Sequence, residues 1–126
     1  LDRSGAAGGL AGGLAALGAG LVDGFDLVAE EVALDEVVAG ADLVVTGEGR
    51  LDEASFEGKV VGGVAAYAAA AGVPLLVVAG QVDPGVAGRV EAISLVEEFG
   101  EERAIADTLA CVEEAVASNL GSRWPA

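Results

Sequence analysis

The chain has 126 residues, 21 acidic against 6 basic, for a formal net charge of -15, and 53% of it is hydrophobic. This is the composition of a globular domain, and its field repels phosphate backbones and anionic bilayers, which excludes nucleic acid and membrane surfaces as general partners. One cysteine, Cys111, and no histidine exclude an internal disulfide and a zinc site, and point to a reducing, cytoplasmic setting with Cys111 as a buried packing residue.

Residues 5–22 carry no charge; Leu10, Leu14, Leu17 and Leu21 recur at helical spacing, and Gly5, Gly9 and Gly13 fall four apart. The pattern predicts a glycine-rich helix able to approach a sheet closely. The run has no aromatic belt and no lysine flank, which argues against a membrane span, and Asp2 argues against a signal peptide. After a turn at Asp23-Gly24, residues 25–38 read as one or two short helices.

Gly40 closes that stretch, and Leu43, Val44 and Val45 form a short apolar strand expected to end at Gly47. Residues 59–71, "KVVGGVAAYAAAA", predict a helix stopped by Gly72, with Pro74 and the buried strand "PLLVVAG" following. Strand, loop, helix and strand over 42–80 make a βαβ unit, which calls for parallel pairing through a right-handed crossover. A third strand is expected over 92–96. A closing amphipathic helix is expected over 101–120, with Ile105, Leu109, Val112 and Val116 on its buried face. The fold class is α/β with parallel strands and flanking helices, in one domain. With no methionine and Leu1 as its first residue, the chain reads as a fragment or a processed product.

In open α/β sheets the ligand crevice lies beyond the carboxyl ends of the strands, here after Thr46 and Ala79. The first of these places carries "TGEGRLDEASFEGK", a connection of about a dozen residues containing Lys59, the sole lysine. A P-loop is excluded by Glu53 and Val60, and a dinucleotide fingerprint by Asp52 where a third glycine belongs. Gly58-Lys59 opens a helix, where free backbone N–H groups, the helix dipole and a lysine charge favour an anion. Arg50 offers a planar fork for phosphate or carboxylate, and Glu48 and Asp52 offer hard oxygens for Mg²⁺. The set suits phosphoryl transfer. The same residues also admit a purely structural reading, with Arg50 paired to Asp52 or Glu53, Ser55 as a helix cap and Lys59 solvated. A second anion candidate is "SGAAGG", whose Gly5, Gly8 and Gly9 could present backbone N–H groups.

These segments, with "GVPLLVVAG" downstream, resemble the carboxy-terminal part of the bacterial glycerate kinases. The family pattern T-G-E-G-R-x-D-x-Q-S-x-x-G-K is met by Thr46, Gly47, Glu48, Gly49, Arg50, Asp52, Ser55, Gly58 and Lys59; Ala54 and Glu57 stand where the family carries Gln and often His. At the amino terminus, Asp2 and Arg3 replace the Pro-Gly that leads the family's glycine run. The resemblance implies a partial Rossmann-like or flavodoxin-like domain, missing the amino-terminal part of the same enzyme and inactive by itself. It implies transfer of the ATP γ-phosphate to D-glycerate with Mg²⁺, Lys59 and Arg50 steadying phosphoryl or carboxylate. Glu48 or Asp52 would hold the metal or take the hydroxyl proton; Gly5, Gly8, Gly9, Gly47, Gly49, Ser55 and Gly58 would shape the anion site. The competing reading is a non-catalytic α/β module that binds a small anion or a partner protein.

Overall fold

Leu75 to Ala79 is apolar at every position, a pattern that suits a strand covered on both faces. The computed structural model, which describes residues 4–123, makes this run the middle of a three-stranded parallel sheet of order β1-β2-β3: β1 (Val44–Leu51), β2 (Leu75–Val82) and β3 (Glu91–Ser94). Val44 aligns with Leu75 and Glu48 with Ala79 on one side of β2, and Leu76 with Glu91 and Ser94 with Ala79 on the other.

Alternation along β2 feeds two cores. Leu76 and Val78 pack with Ile93, Leu95, Ala104, Cys111 and Ala115, beneath α5 (Leu95–Phe99), α6 (Glu101–Ala106) and α7 (Thr108–Arg123). Val77 and Ala79 pack with Leu51, Val61 and Val86, on the side of α4 (Val60–Ala71). The sheet is thus sandwiched between helices, the α/β class the sequence called for. Cys111 is fully buried, as expected of a packing thiol.

The unit β1–α4–β2 follows from local signals. Lys59 is the extended residue before α4, and Gly72 closes the helix in the left-handed region at φ 69°, a position glycine takes without a Cβ penalty. Before β1, residues 25–38 are indeed two short helices, α2 (Gly24–Glu31) and α3 (Leu34–Ala39), with the Asp23 carboxylate accepting the Phe25 N–H at the start of α2.

Four expectations are corrected. The helix over 5–22 contracts to α1 (Leu10–Ala16) after a 3-10 turn at Ala6–Gly9, because Ala7, Gly8 and Gly9 adopt positive φ. Its Leu10, Leu14 and Leu17 are exposed, so the glycines do not serve packing on the sheet. The first strand does not stop at Gly47 but runs to Leu51, since Gly47 and Gly80 let the β1 and β2 backbones meet: a Cβ on Gly47 would fall 2.5 Å from the Val78 carbonyl oxygen, and one on Gly80 equally close to that of Gly49. The third strand ends at Ser94, whose hydroxyl accepts the Glu97 N–H and starts α5. The closing helix breaks at Asp107 into α6 and α7; its buried face is Ala104, Cys111 and Ala115, with Val112 and Val116 packed against it as expected, while Ile105 and Leu109 are 72% and 74% exposed. No helix among the described residues is long and apolar enough to cross a membrane.

Candidate active site

The extension of β1 to Leu51 leaves eight residues, 52–59, between strand and helix, and they are internally braced. The Asp52 carboxylate accepts the Ser55 N–H at 3.2 Å, and the Ser55 hydroxyl oxygen accepts the Asp52 N–H at 3.0 Å, a reciprocal cap on the 3-10 turn Glu53–Phe56. The Ser55 hydroxyl also lies 3.3 Å from the Arg50 carbonyl oxygen, and Ser55 is wholly buried. Ser55 is therefore the interior partner of the cap, and Asp52 is the capping residue. Gly58 follows with φ 70°, and Lys59 then opens α4 without capping it.

Two of the charged residues read from the sequence share a cavity. A cleft of about 720 Å³ between α2, β1 and the start of α4 is lined by Asp23, Phe25, Val28, Glu48, Lys59 and Val64, among others. Gly47 and Gly58 belong to the same wall. On the opposite side of the strand a smaller cleft of about 420 Å³, lined by Val45, Leu95, Thr108, Val112 and Val116, again includes Glu48. Glu48 thus stands at the rim of both. Its Oε1 is buried and has no hydrogen-bond partner, a costly state for a carboxylate oxygen unless a donor or cation is supplied.

Arg50 and Asp52 are not in the wall of the larger cleft. Arg50 extends across the strand ends, and its Nη2 donates to Asp83 Oδ2 at 3.0 Å; the pair is exposed. The hydrogen bond from Arg50, with a second from the Gly85 N–H, holds the Asp83 carboxyl below its ordinary pKa. The expected partners, Asp52 and Glu53, are otherwise engaged: Asp52 caps Ser55, and Glu53 accepts from Arg89 at 2.6 Å. Gly5, Gly8 and Gly9 line neither cleft that Glu48 lines. Asp2 and Arg3 lie outside the described residues.

A magnesium ion bound by one carboxylate, phosphate oxygens and water needs few protein ligands. Among the described residues no cluster of three or more Asp, Glu, His or Cys side chains could hold a metal by itself, but the orphaned Glu48 oxygen fits that sparser arrangement. Asp83 and Arg89 carry no role in the sequence reading, and Asp23 enters it only as a turn residue. The signals were present: Asp23-Gly24 and Asp83-Pro84-Gly85 each set an Asp where a short helix begins.

The sequence model of the glycerate kinase family matches residues 1–122. The chain belongs to the glycerate kinase family. Over 97% of its length it is 42% identical to an uncharacterised protein of Mycobacterium bovis, of which it covers 34%. It is 46% identical to a glycerate kinase of Halalkalibacterium halodurans over 68% of this chain and 23% of that one. In three dimensions it is similar to a crystal structure assigned as glycerate kinase 2 from Salmonella typhimurium LT2, with a TM-score of 0.58, 30% identity, and coverage of 98% of this chain and 34% of that one. This glycerate kinase family chain therefore spans about a third of the length of the first relatives it matches.

Proposed function

We propose that this chain supplies one wall of the phosphoryl-transfer site of a glycerate kinase, and that, together with the remaining two-thirds of the relatives' length, it transfers the ATP γ-phosphate to a hydroxyl of D-glycerate, giving phosphoglycerate. Family membership supports the reaction class. The observation that carries the site is the buried, unpartnered Oε1 of Glu48 in a cleft it shares with Lys59.

Lys59 stands where α4 begins, so its ammonium and the N–H groups of the first helical turn favour the same negative charge, that of a phosphoryl group or a carboxylate. Glu48 has an oxygen free to receive the substrate hydroxyl proton or to ligate Mg²⁺. When bound, the metal would offset charge building on the phosphate oxygens. Arg50, held by Asp83 beyond the strand ends, would meet the anion from the outer side, and Asp52 with Ser55 would hold the connection that presents Gly58 and Lys59. A cytoplasmic setting agrees with the unpaired, buried Cys111.

The test is Mg²⁺-dependent ADP release with D-glycerate, measured on the longest natural polypeptide that carries this chain. Lys59→Ala and Glu48→Gln are each expected to lower kcat/KM by about 100-fold or more. Unchanged turnover in both variants refutes the site. Absence of ADP release from the unmodified protein favours a non-catalytic module.

A further inference from the structure

The connection 52–59 faces a second one, residues 83–90, between β2 and β3. Two arginine-carboxylate pairs bridge the neighbouring segments. Arg50, at the end of β1, donates to Asp83 at 3.0 Å; Arg89, at the end of the second connection, donates to Glu53 at 2.6 Å. The Arg89 guanidinium carbon also lies 4.1 Å from the Phe56 ring centroid, which places the cation over the aromatic face.

Below these charges the two segments share a core and a backbone bond. Phe56 and Val90 pack on the cluster that contains Leu51 and the fully buried Val86, and the Asp83 N–H donates to the Leu51 carbonyl at 2.9 Å. The connection 52–59 is in turn pressed against α4: a Cβ on Gly62 would fall 2.8 Å from Phe56 Cα and 3.0 Å from the Ser55 carbonyl oxygen. A displacement of Phe56 therefore reaches the first turn of α4, where Lys59 stands.

We propose that Arg89 is a positioning residue: stacked on Phe56 and paired with Glu53, it fixes the connection 52–59 and through it the place of Lys59 in the cleft. Its link to catalysis rests on the phosphoryl-transfer reading above; its link to the loop does not. Arg89 touches no residue assigned to the reacting groups, so its effect is on anion binding and not on the chemical step. A lysine could keep the charge pair with Glu53 but lacks the planar face that covers the ring.

Two measurements test it. By amide hydrogen exchange on the 126-residue chain, Arg89→Ala is expected to speed exchange at the Ser55 and Glu57 amides about fivefold, with Arg89→Lys in between and the β2 amides unchanged. In the longer polypeptide, Arg89→Ala is expected to raise KM for the anionic substrates about fivefold with kcat within about twofold, and the paired reversal Arg89→Glu with Glu53→Arg to recover part of the loss. Exchange that stays within twofold of the unmodified chain overturns the clamp. Faster exchange with unchanged KM overturns the positioning role, provided that Lys59→Ala is impaired in the same assay. If Lys59→Ala is unimpaired as well, the fault lies with the phosphoryl-transfer reading, and faster exchange still upholds the clamp on the loop.

Discussion

Two glycine-rich regions of this chain look alike as sequence and differ in what their glycines do. Around the sheet, Gly47, Gly62, Gly63 and Gly80 each occupy a spot where a Cβ would strike a neighbour: the Val78 carbonyl, the Phe56 backbone, the Phe25 ring and the Gly49 carbonyl respectively. In the amino-terminal segment, Gly5, Gly8, Gly9 and Gly13 have nothing within 4 Å of that position. There the demand is on backbone angle, with φ of 67° at Gly8 and 92° at Gly9, and in this segment Gly12 alone is crowded, by the Ser4 carbonyl. Glycine spacing therefore reports close approach in one region and turning in the other, and periodicity alone does not separate the two.

The comparison can be broken by substitution. Gly62→Ala sets a methyl against backbone atoms that cannot rotate away, and a loss of about 3 kcal/mol in urea unfolding is expected. A loss below about 1 kcal/mol would remove the contrast. Ser55→Ala keeps the Ser55 N–H bond to the Asp52 carboxylate but removes the hydroxyl half of the reciprocal cap and the contact with the Arg50 carbonyl from a fully buried site, with an expected loss of about 1–2 kcal/mol in the same assay. Gly13→Ala, inside α1 with open space around it, is expected to raise helix stability by about 0.5–1 kcal/mol, read as a higher thermal midpoint or slower exchange in α1.

The smallest effect concerns pH. Asp83 has a folded-state pKa below its unfolded value, so the contribution of its pair with Arg50 is present above the unfolded value and is lost as pH falls through the folded one. A slight acid-side loss of stability, absent in Asp83→Asn and weakened by salt, is the expected outcome. An identical acid limb in Asp83→Asn would show that other carboxylates carry it.

The βαβ unit was legible because each of its parts rests on local physics: a buried β-branched run, a helix of small residues, and Gly72 at its end. The limits of β1 were not, since Gly47-Glu48-Gly49 reads as a turn until β2 is set beside it. The break at Asp107 and the burial of Ala104 and Cys111 in place of Ile105 and Leu109 depend on how α6 and α7 meet the sheet, which periodicity does not encode. The start of α5 did carry a readable sign, Ser94 three residues before Glu97. At the candidate site, the structure sets Glu48 and Lys59 on one cleft across a loop shorter than the sequence suggested; the engagement of Arg50 by Asp83 required two connections that are distant in the chain.

Among the described residues β1 has a strand neighbour on one side only, so the backbone donors and acceptors of its other side are paired with no described strand. A strand added on that side would lie alongside Glu48 and Arg50, charges of opposite sign two residues apart in β1, and its own residues opposite them would be restricted accordingly.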